Sequence, residues 1–153
     1  IVEMENDSRW NDNLFELVPI PTTEKQKELT HWLCSRAVNT AIRRHAGVIS
    51  DLYTPSGKKQ IVKGKDLTAI QWVIGTGGAL TLIDGGEEIL RNVCTGAGKY
   101  LLPAPETKII LDREYRFSAL GTLAQAYPED VKLTFQKWVN SENSIKSEKF
   151  SEN

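Results

Sequence analysis

Apolar side chains recur at three- and four-residue steps between residues 24 and 46, which predicts an amphipathic helix as the longest element of the chain. The helix starts after Thr23, which forms a Thr-x-x-Gln capping box with Gln26. It ends in a cluster of positive charge that suits the helix dipole, just before Gly47. Its apolar stripe consists of Leu29, Trp32, Leu33, Ala37, Val38, Ala41 and Ile42.

The next pattern is β-type. Residues favoured in strands flank the turn signal Pro55-Ser56-Gly57, which predicts a hairpin with strands near 48–53 and 59–63. A short apolar run from Ile70 to Ile74 lies between a polar stretch and glycines, as is typical of a parallel strand buried on both faces. A second such strand is predicted at 108–111. Because a helix lies between these two strands, they imply a right-handed parallel crossover.

Three more helices complete the pattern. We expect the first to be capped by Asp84 and to end near residue 95, the second to span residues 113–127, and the third to begin at Pro128. The inward-facing residues are expected to be Ile89, Leu90 and Val93 in the first helix, Phe117, Leu120, Leu123, Ala124 and Tyr127 in the second, and Val131, Phe135, Trp138 and Val139 in the third.

These elements predict an α/β fold, with a small mixed sheet built from a β-hairpin and two parallel strands and packed by four helices. We divide the chain into an N-terminal extension at 1–22, one subdomain at 23–139, and a polar tail at 140–153 that we expect to be disordered. Two parallel strands are few for a complete α/β domain, and the chain begins with Ile. We therefore expect a piece of a longer protein.

Composition narrows the functional classes. The chain has 153 residues, of which 40% are apolar and 25% charged, and its net charge of −1 with a pI near 6.2 gives no reason to expect binding to nucleic acid or to an anionic membrane. Cys34 and Cys94 lack CxxC spacing and are expected to be free, buried thiols, with a disulfide between them as the alternative. A reducing, cytoplasmic location follows from that expectation. The cysteines and histidines show no zinc-ligand spacing.

The stretch VIGTGGALTLIDGG, residues 73–86, contains five glycines. A P-loop is excluded because it would require Gly-Lys-Ser/Thr. A dinucleotide fingerprint is disfavoured, because it would require a glycine where Leu80 stands and an acidic residue near position 100. Two interpretations remain. The glycines form a turn that binds nothing, or their bare backbone at the end of a strand is a platform for a purine or phosphate.

Several motifs that follow one another along the chain resemble those of a known protein family. VIGTGGAL after GKDLT, then GGEEIL, LLPAPETKIILD and YRFSALGTLAQAYP, resemble the C-terminal part of the glutamate mutase L family, over residues 23–127. That family is similar to the actin-like ATPases, with a ribonuclease H-like fold. The resemblance implies that the helix at 24–46 lies near the base pocket and that the closing helix carries Ala119, Leu120 and Gly121. It implies an adenosine motif formed by Gly75, Thr76, Gly77, Gly78 and Ala79.

The implied cofactor is ATP, with Mg²⁺ bound mainly by an N-terminal half outside these residues, because no Asp-x-Gly-Ser/Thr phosphate loop occurs in the chain. No catalytic residue or metal ligand is therefore assigned, and the chain alone is expected to be inactive as an ATPase. The implied role is chaperone-like reactivation of an adenosylcobalamin-dependent mutase subunit. The alternatives are a non-catalytic interaction domain with a decayed nucleotide site and, third, a metabolic kinase of the same superfamily.

Other polar residues have simpler interpretations. Lys58, Lys59, Lys63 and Lys65 belong to the hairpin and are expected to protect a solvated edge strand, or else to contact a partner or a phosphate. Asp66 is predicted to be a turn residue.

Overall fold

The computed structural model describes residues 17–151 except Ala97, with side chains through Ser141, so most of the predicted N-terminal extension lies outside the described residues. Helices and strands are mixed along the chain, as in an α/β protein. The elements are α1 (Glu24–His45), β1 (Val48–Thr54), β2 (Gly57–Lys63), β3 (Trp72–Gly75), α2 (Gly78–Thr81), α3 (Gly86–Arg91), β4 (Lys108–Leu111), α4 (Arg116–Leu123) and α5 (Pro128–Ser151).

The first helix begins as its sequence predicts. The main-chain N–H of Gln26 donates to Thr23 Oγ1 at 3.3 Å, and Gln26 Oε1 accepts from the main-chain N–H of Thr23 at 3.2 Å, which completes the capping box. α1 packs against α2 and α3, with Leu29 fully buried and Cys34 and Val38 against the main core. The helix that carries the strongest local signals therefore also covers the glycine stretch.

In the part of the chain that the structure describes, four strands form two separate sheets. β1 pairs antiparallel with β2, and β3 pairs parallel with β4 from Trp72 opposite Lys108 to Gly75 opposite Leu111. Both pairings are confirmed, but the prediction of one mixed sheet is wrong. The hairpin instead attaches through its base, where the Ile49 N–H donates to Lys99 O at 2.7 Å, because β1 meets the loop before β4 and not the parallel strands.

The parallel pair is covered on both faces, as buried parallel strands require. On one face, Ile109 packs with Ile89 and Leu90 of α3. On the other, Ile110 packs with Trp138 of α5. This layering fixes the carboxyl ends of β3 and β4 side by side.

The inward face predicted for α4 is wrong at three positions. Phe117, Leu123 and Tyr127 are 47%, 49% and 59% exposed. Only Leu120 and Ala124 of that face are partly buried, since α4 packs mainly on α5. Periodicity identifies an apolar face, but it does not tell whether a second layer covers it.

Two further differences concern helix ends. Asp84 is not the cap of α3, which was a wrong prediction: Gly85 is the N-cap, in the left-handed region with φ 79°, and its carbonyl accepts from the Ile89 N–H at 3.0 Å. The four-residue turn α2 was not predicted at all. α5 begins at Pro128, as predicted, and continues through the proposed boundary at residue 140 to Ser151. The division into extension, subdomain and tail stays a prediction.

The remaining structural expectations concern cysteines, Asp66 and membranes. Cys34 and Cys94 are free, as predicted, but only Cys94 is buried and Cys34 is half-buried. Burial raises the pKa of both thiols. The Asp66 carboxylate accepts from the N–H and hydroxyl of Thr68, which lowers its pKa and confirms the turn. Within residues 17–151, no helix is long and apolar enough to cross a membrane.

Candidate functional site

The predicted motif, Gly75 to Ala79, lies at the carboxyl edge of the parallel pair. It starts at the last residue of β3 and runs into the first turn of α2. The Asp112 N–H, just after β4, donates to Gly75 O at 2.8 Å, which joins the two strand ends. Because ligands of open α/β sheets bind outside the carboxyl ends of strands, this edge is the candidate site.

Gly75 is explained by the core and not by a ligand. The residue is buried, and a Cβ built on it would lie 2.6 Å from Leu90 Cδ1, 2.7 Å from Leu80 Cδ2 and 2.9 Å from Leu111 Cδ2. Real Cβ atoms do not approach other atoms so closely. A side chain at this position would therefore require the three leucine side chains to move, so packing alone accounts for the glycine.

Gly77 is explained by its backbone. It is the N-cap of α2 with φ 95° and ψ 141°, a conformation essentially restricted to glycine. Its carbonyl accepts from the N–H groups of Leu80 and Thr81 at 3.0 and 2.9 Å and from the Thr81 hydroxyl at 3.0 Å. Among the described residues, no heavy atom lies within 4 Å of a Cβ built on Gly77, so this side of the turn is open.

Gly78 is the one glycine of the motif that neither conformation nor packing requires. Its φ lies outside the left-handed region. A Cβ there would make ordinary contacts, at 3.6 Å to Tyr115 Oη and 3.7 Å to Leu82 Cδ1. The motif residues Thr76 and Ala79 are both exposed. The surface of the turn thus consists of bare backbone with a short hydroxyl beside it.

Tyr115 borders this surface and was missed by the sequence analysis. It follows β4, is exposed, and adopts the left-handed conformation with φ 55°, which is uncommon for a residue other than glycine. Its hydroxyl oxygen is the atom that a Cβ on Gly78 would approach most closely. The signal that could have found it is its place just after the second parallel strand, whose carboxyl end shares the edge with the motif.

Asp112 holds the turn that carries Tyr115. The carboxylate is fully buried, with Oδ1 accepting from the Arg116 N–H at 2.7 Å and Oδ2 from the Phe117 N–H at 2.9 Å. Both oxygens therefore cap the start of α4. The adjacent Arg113 donates to the carbonyl of Thr81, which ties the end of β4 to α2. Within the described part of the chain, no three His, Cys, Asp or Glu side chains are grouped as a metal site requires.

The other segments that the resemblance assigns to the site lie elsewhere. Ala119 and Leu120 line a cleft of about 440 Å³ between α4 and α5, together with Trp138, and no motif residue lines that cleft. α1 reaches the glycine stretch at a different glycine, since His31 Nε2 would lie 3.0 Å from a Cβ on Gly85. The structure thus brings Tyr115 to the motif, and places α1 against the second glycine pair.

Fold and site together define a mixed α/β protein with an open glycine turn at the carboxyl edge of two parallel strands. The family described as MutL protein matches residues 3–139, and the chain belongs to that family, which confirms the predicted resemblance to glutamate mutase L. Protein MutL from Clostridium tetanomorphum is 32% identical over 122 residues, which are 78% of this chain and 26% of that protein. The chain therefore spans about a quarter of that relative's length. No solved structure matches it.

Proposed function

We propose that this chain is the adenosine-binding part of an ATP-dependent, chaperone-like reactivation factor for an adenosylcobalamin-dependent mutase such as glutamate mutase. The observation that carries the proposal is the turn at Gly77 and Gly78, which exposes bare backbone where α/β proteins bind ligands. Membership of the MutL family supports the mutase as the partner. We assign the fold accordingly to the actin-like, ribonuclease H-like class and the protein to the cytoplasm, which suits two free thiols.

The residues of the turn fit an adenosine group. A purine or ribose can approach the main chain of Gly78 because this residue carries no side chain of its own, and the nearby Thr76 offers a hydroxyl. Tyr115 borders the same surface and offers an aromatic ring and a hydroxyl. We therefore assign adenosine binding to Thr76, Gly77, Gly78 and Ala79 with Tyr115 at the border, and we assign to Gly75 only the packing that brings them there.

ATP would supply the free energy of closure when bound. Its β- and γ-phosphates and Mg²⁺ would be held outside this chain, since its 153 residues contain no Asp-x-Gly-Ser/Thr loop. Closure of two lobes around a nucleotide is a general way to couple its binding to a partner's conformation. This chain would contribute the adenosine side of that closure, and no ATP hydrolysis of its own.

The test compares Gly78→Val with Gly121→Ala, in the longest natural polypeptide that carries this chain. Gly121 lies on α4, and a Cβ there meets no described atom within 4 Å, so it is a matched glycine outside the site. Titration with a fluorescent ADP analogue should show binding at least about tenfold weaker for Gly78→Val, equivalent to about 1.4 kcal/mol, and unchanged for Gly121→Ala. Equal affinities of the two variants would refute the site, and rapid hydrolysis by the 153-residue chain alone would refute the division of roles.

The alternative is a non-catalytic interaction domain whose nucleotide site has decayed. One observation favours it: the glycine turn is open surface, whereas small-molecule sites usually enclose most of the ligand. In that case the wild-type protein gives no nucleotide signal, and Gly78→Val leaves binding to the partner unchanged. The same titration therefore separates the two functions.

A further inference from the structure

Positive charge is concentrated in one part of this nearly neutral protein. Residues 43–65 contain two arginines, four lysines and one carboxylate, Asp51, in a chain of net charge −1. Most of this segment is the hairpin of β1 and β2, residues 48–63. Asp51 is itself paired with Lys58 at 2.9 Å, so the other cations of the hairpin face no acid of the same element.

Apolar side chains stand exposed on both faces of the same hairpin. Cross-strand pairing places Leu52 and Ile61 on one face and Tyr53 and Val62 on the other. Their exposures are 45% for Leu52, 44% for Ile61, 77% for Tyr53 and 58% for Val62. Protection of an exposed edge strand against aggregation would explain the lysines of the hairpin. It does not explain why apolar side chains are exposed to water on both of its faces.

The base of the hairpin is firmly attached, so the hairpin is a preformed arm. A Cβ on Gly64 would lie 2.8 Å from Gly47 Cα, which shows how closely the two chains pass there. The Leu101 N–H donates to Gly47 O at 2.8 Å. Beside this base, the Tyr100 ring lies 5.2 Å from the Arg43 guanidinium and 5.7 Å from the Lys99 ammonium, which extends the cationic surface. A rigid arm loses little entropy on binding.

We propose that the hairpin is a docking arm for an acidic, partly apolar surface of a protein, and, resting on the proposed function, that this protein is the mutase. Charge complementarity selects an anionic partner. Hydrogen bonds to phosphate and sugar predominate in binding to DNA, and aliphatic side chains such as Leu52 and Val62 cannot make them. A membrane surface requires apolar residues on one face and charge on the other, whereas the hairpin carries apolar residues on both.

The test measures binding of the natural full-length protein to purified glutamate mutase subunits by biolayer interferometry. The variant K58E/K59E reverses two charges on the arm, and Tyr53→Ser removes its most exposed ring. The matched control K132E/K137E makes the same change of charge on α5. We expect K58E/K59E to weaken binding about tenfold, mostly through the association rate, with a smaller salt dependence, and Tyr53→Ser to raise the dissociation rate. The control should change binding less than about twofold.

The outcomes separate this inference from the proposed function. If the wild type binds the mutase and K58E/K59E binds equally well, the docking arm is refuted and the proposed function stands. If the wild type binds no mutase, both are refuted, whatever the nucleotide titration shows. Lysine-dependent binding to duplex DNA or to phosphatidylserine vesicles without mutase binding also refutes the arm. So does a concentration-dependent dimer that K58E/K59E abolishes, because the occupant is then a second copy of the chain.

Discussion

The chain contains two glycine pairs with nearly the same local design and different surroundings. Gly77 and Gly85 are each an N-cap with positive φ, at 95° and 79°, and Gly78 and Gly86 are each the first residue of a short helix. The second pair is packed on both residues, since a Cβ on Gly85 would meet His31 Nε2 at 3.0 Å and one on Gly86 would collide with the carbonyl oxygen of Leu80. In the first pair, a Cβ on Gly77 would meet no described atom within 4 Å, and one on Gly78 would make only ordinary contacts, with Tyr115 and Leu82.

The difference shows which glycine needs an explanation outside the fold. Packing accounts for Gly86, and backbone conformation accounts for Gly77 and in part for Gly85. Of these four glycines, only Gly78 has an ordinary φ and room for a methyl group. Since glycine in a helix is unfavourable relative to alanine, its presence there is consistent with a ligand that approaches the backbone.

The largest expected loss of stability comes from a substitution in the packed pair, Gly85 and Gly86. Gly86→Ala places a methyl group against a backbone oxygen, which cannot rotate away as a side chain can. We expect a loss of about 3 kcal/mol or more in the free energy of unfolding, and a Tm about 6–12 °C lower. Urea denaturation followed by circular dichroism measures it. A loss below about 1 kcal/mol would show that the two pairs are equally free, and the contrast between them would disappear.

Gly75→Ala comes next and divides the motif itself into a packed and an open part. The added methyl group meets the ends of three leucines, at Leu80, Leu90 and Leu111, which can shift more easily than backbone. We expect a loss of about 2 kcal/mol in urea denaturation. Under conditions in which the variant is fully folded, its affinity for nucleotide should stay within about threefold of the wild-type value. The reason is that Gly75 is buried below the surface that we assign to adenosine. A stable variant that no longer binds nucleotide would contradict this division.

A double-mutant cycle with His31 compares the two caps directly. Alanine at either cap is strained by its positive φ, at a cost of about 1–3 kcal/mol. Only at Gly85 does a neighbouring side chain, the His31 ring, add to this cost. His31→Ala should therefore recover about 0.5–1 kcal/mol when combined with Gly85→Ala and nothing when combined with Gly77→Ala. Equal coupling at both positions would show that the His31 ring meets a side chain on Gly77 as well as one on Gly85.

Local signals predicted the elements, and contacts distant in sequence decided the site. Residues close together in the sequence predicted the capping box at Thr23, the hairpin and the two parallel strands, and the structure confirms each of them. The cap of α3 could not be read in this way, because Asp84 has the right residue type and the backbone instead uses the freedom of Gly85. Tyr115 lies 37 positions after Gly78 in the sequence, and only the parallel pairing brings the two together.

The smallest expected effect on stability is also the one that decides the interpretation of the open pair. Gly78→Ala adds a methyl group with ordinary contacts to Tyr115 and Leu82, at the start of a helical turn. Stability should stay constant or rise by about 0.5 kcal/mol, as it should for Gly121→Ala on α4. Urea denaturation of both variants checks this, beside the titration with the ADP analogue.

The two measurements on Gly78→Ala have to be considered together. Weaker nucleotide binding with unchanged stability assigns the glycine to the ligand, because the fold then tolerates a side chain that the ligand does not. A loss of stability above about 1 kcal/mol would assign it to the fold, as for Gly86, and the nucleotide proposal would lose the observation that carries it. Unchanged stability with unchanged affinity would show that alanine suffices at this surface, and only the larger Gly78→Val could then reveal how closely a ligand approaches.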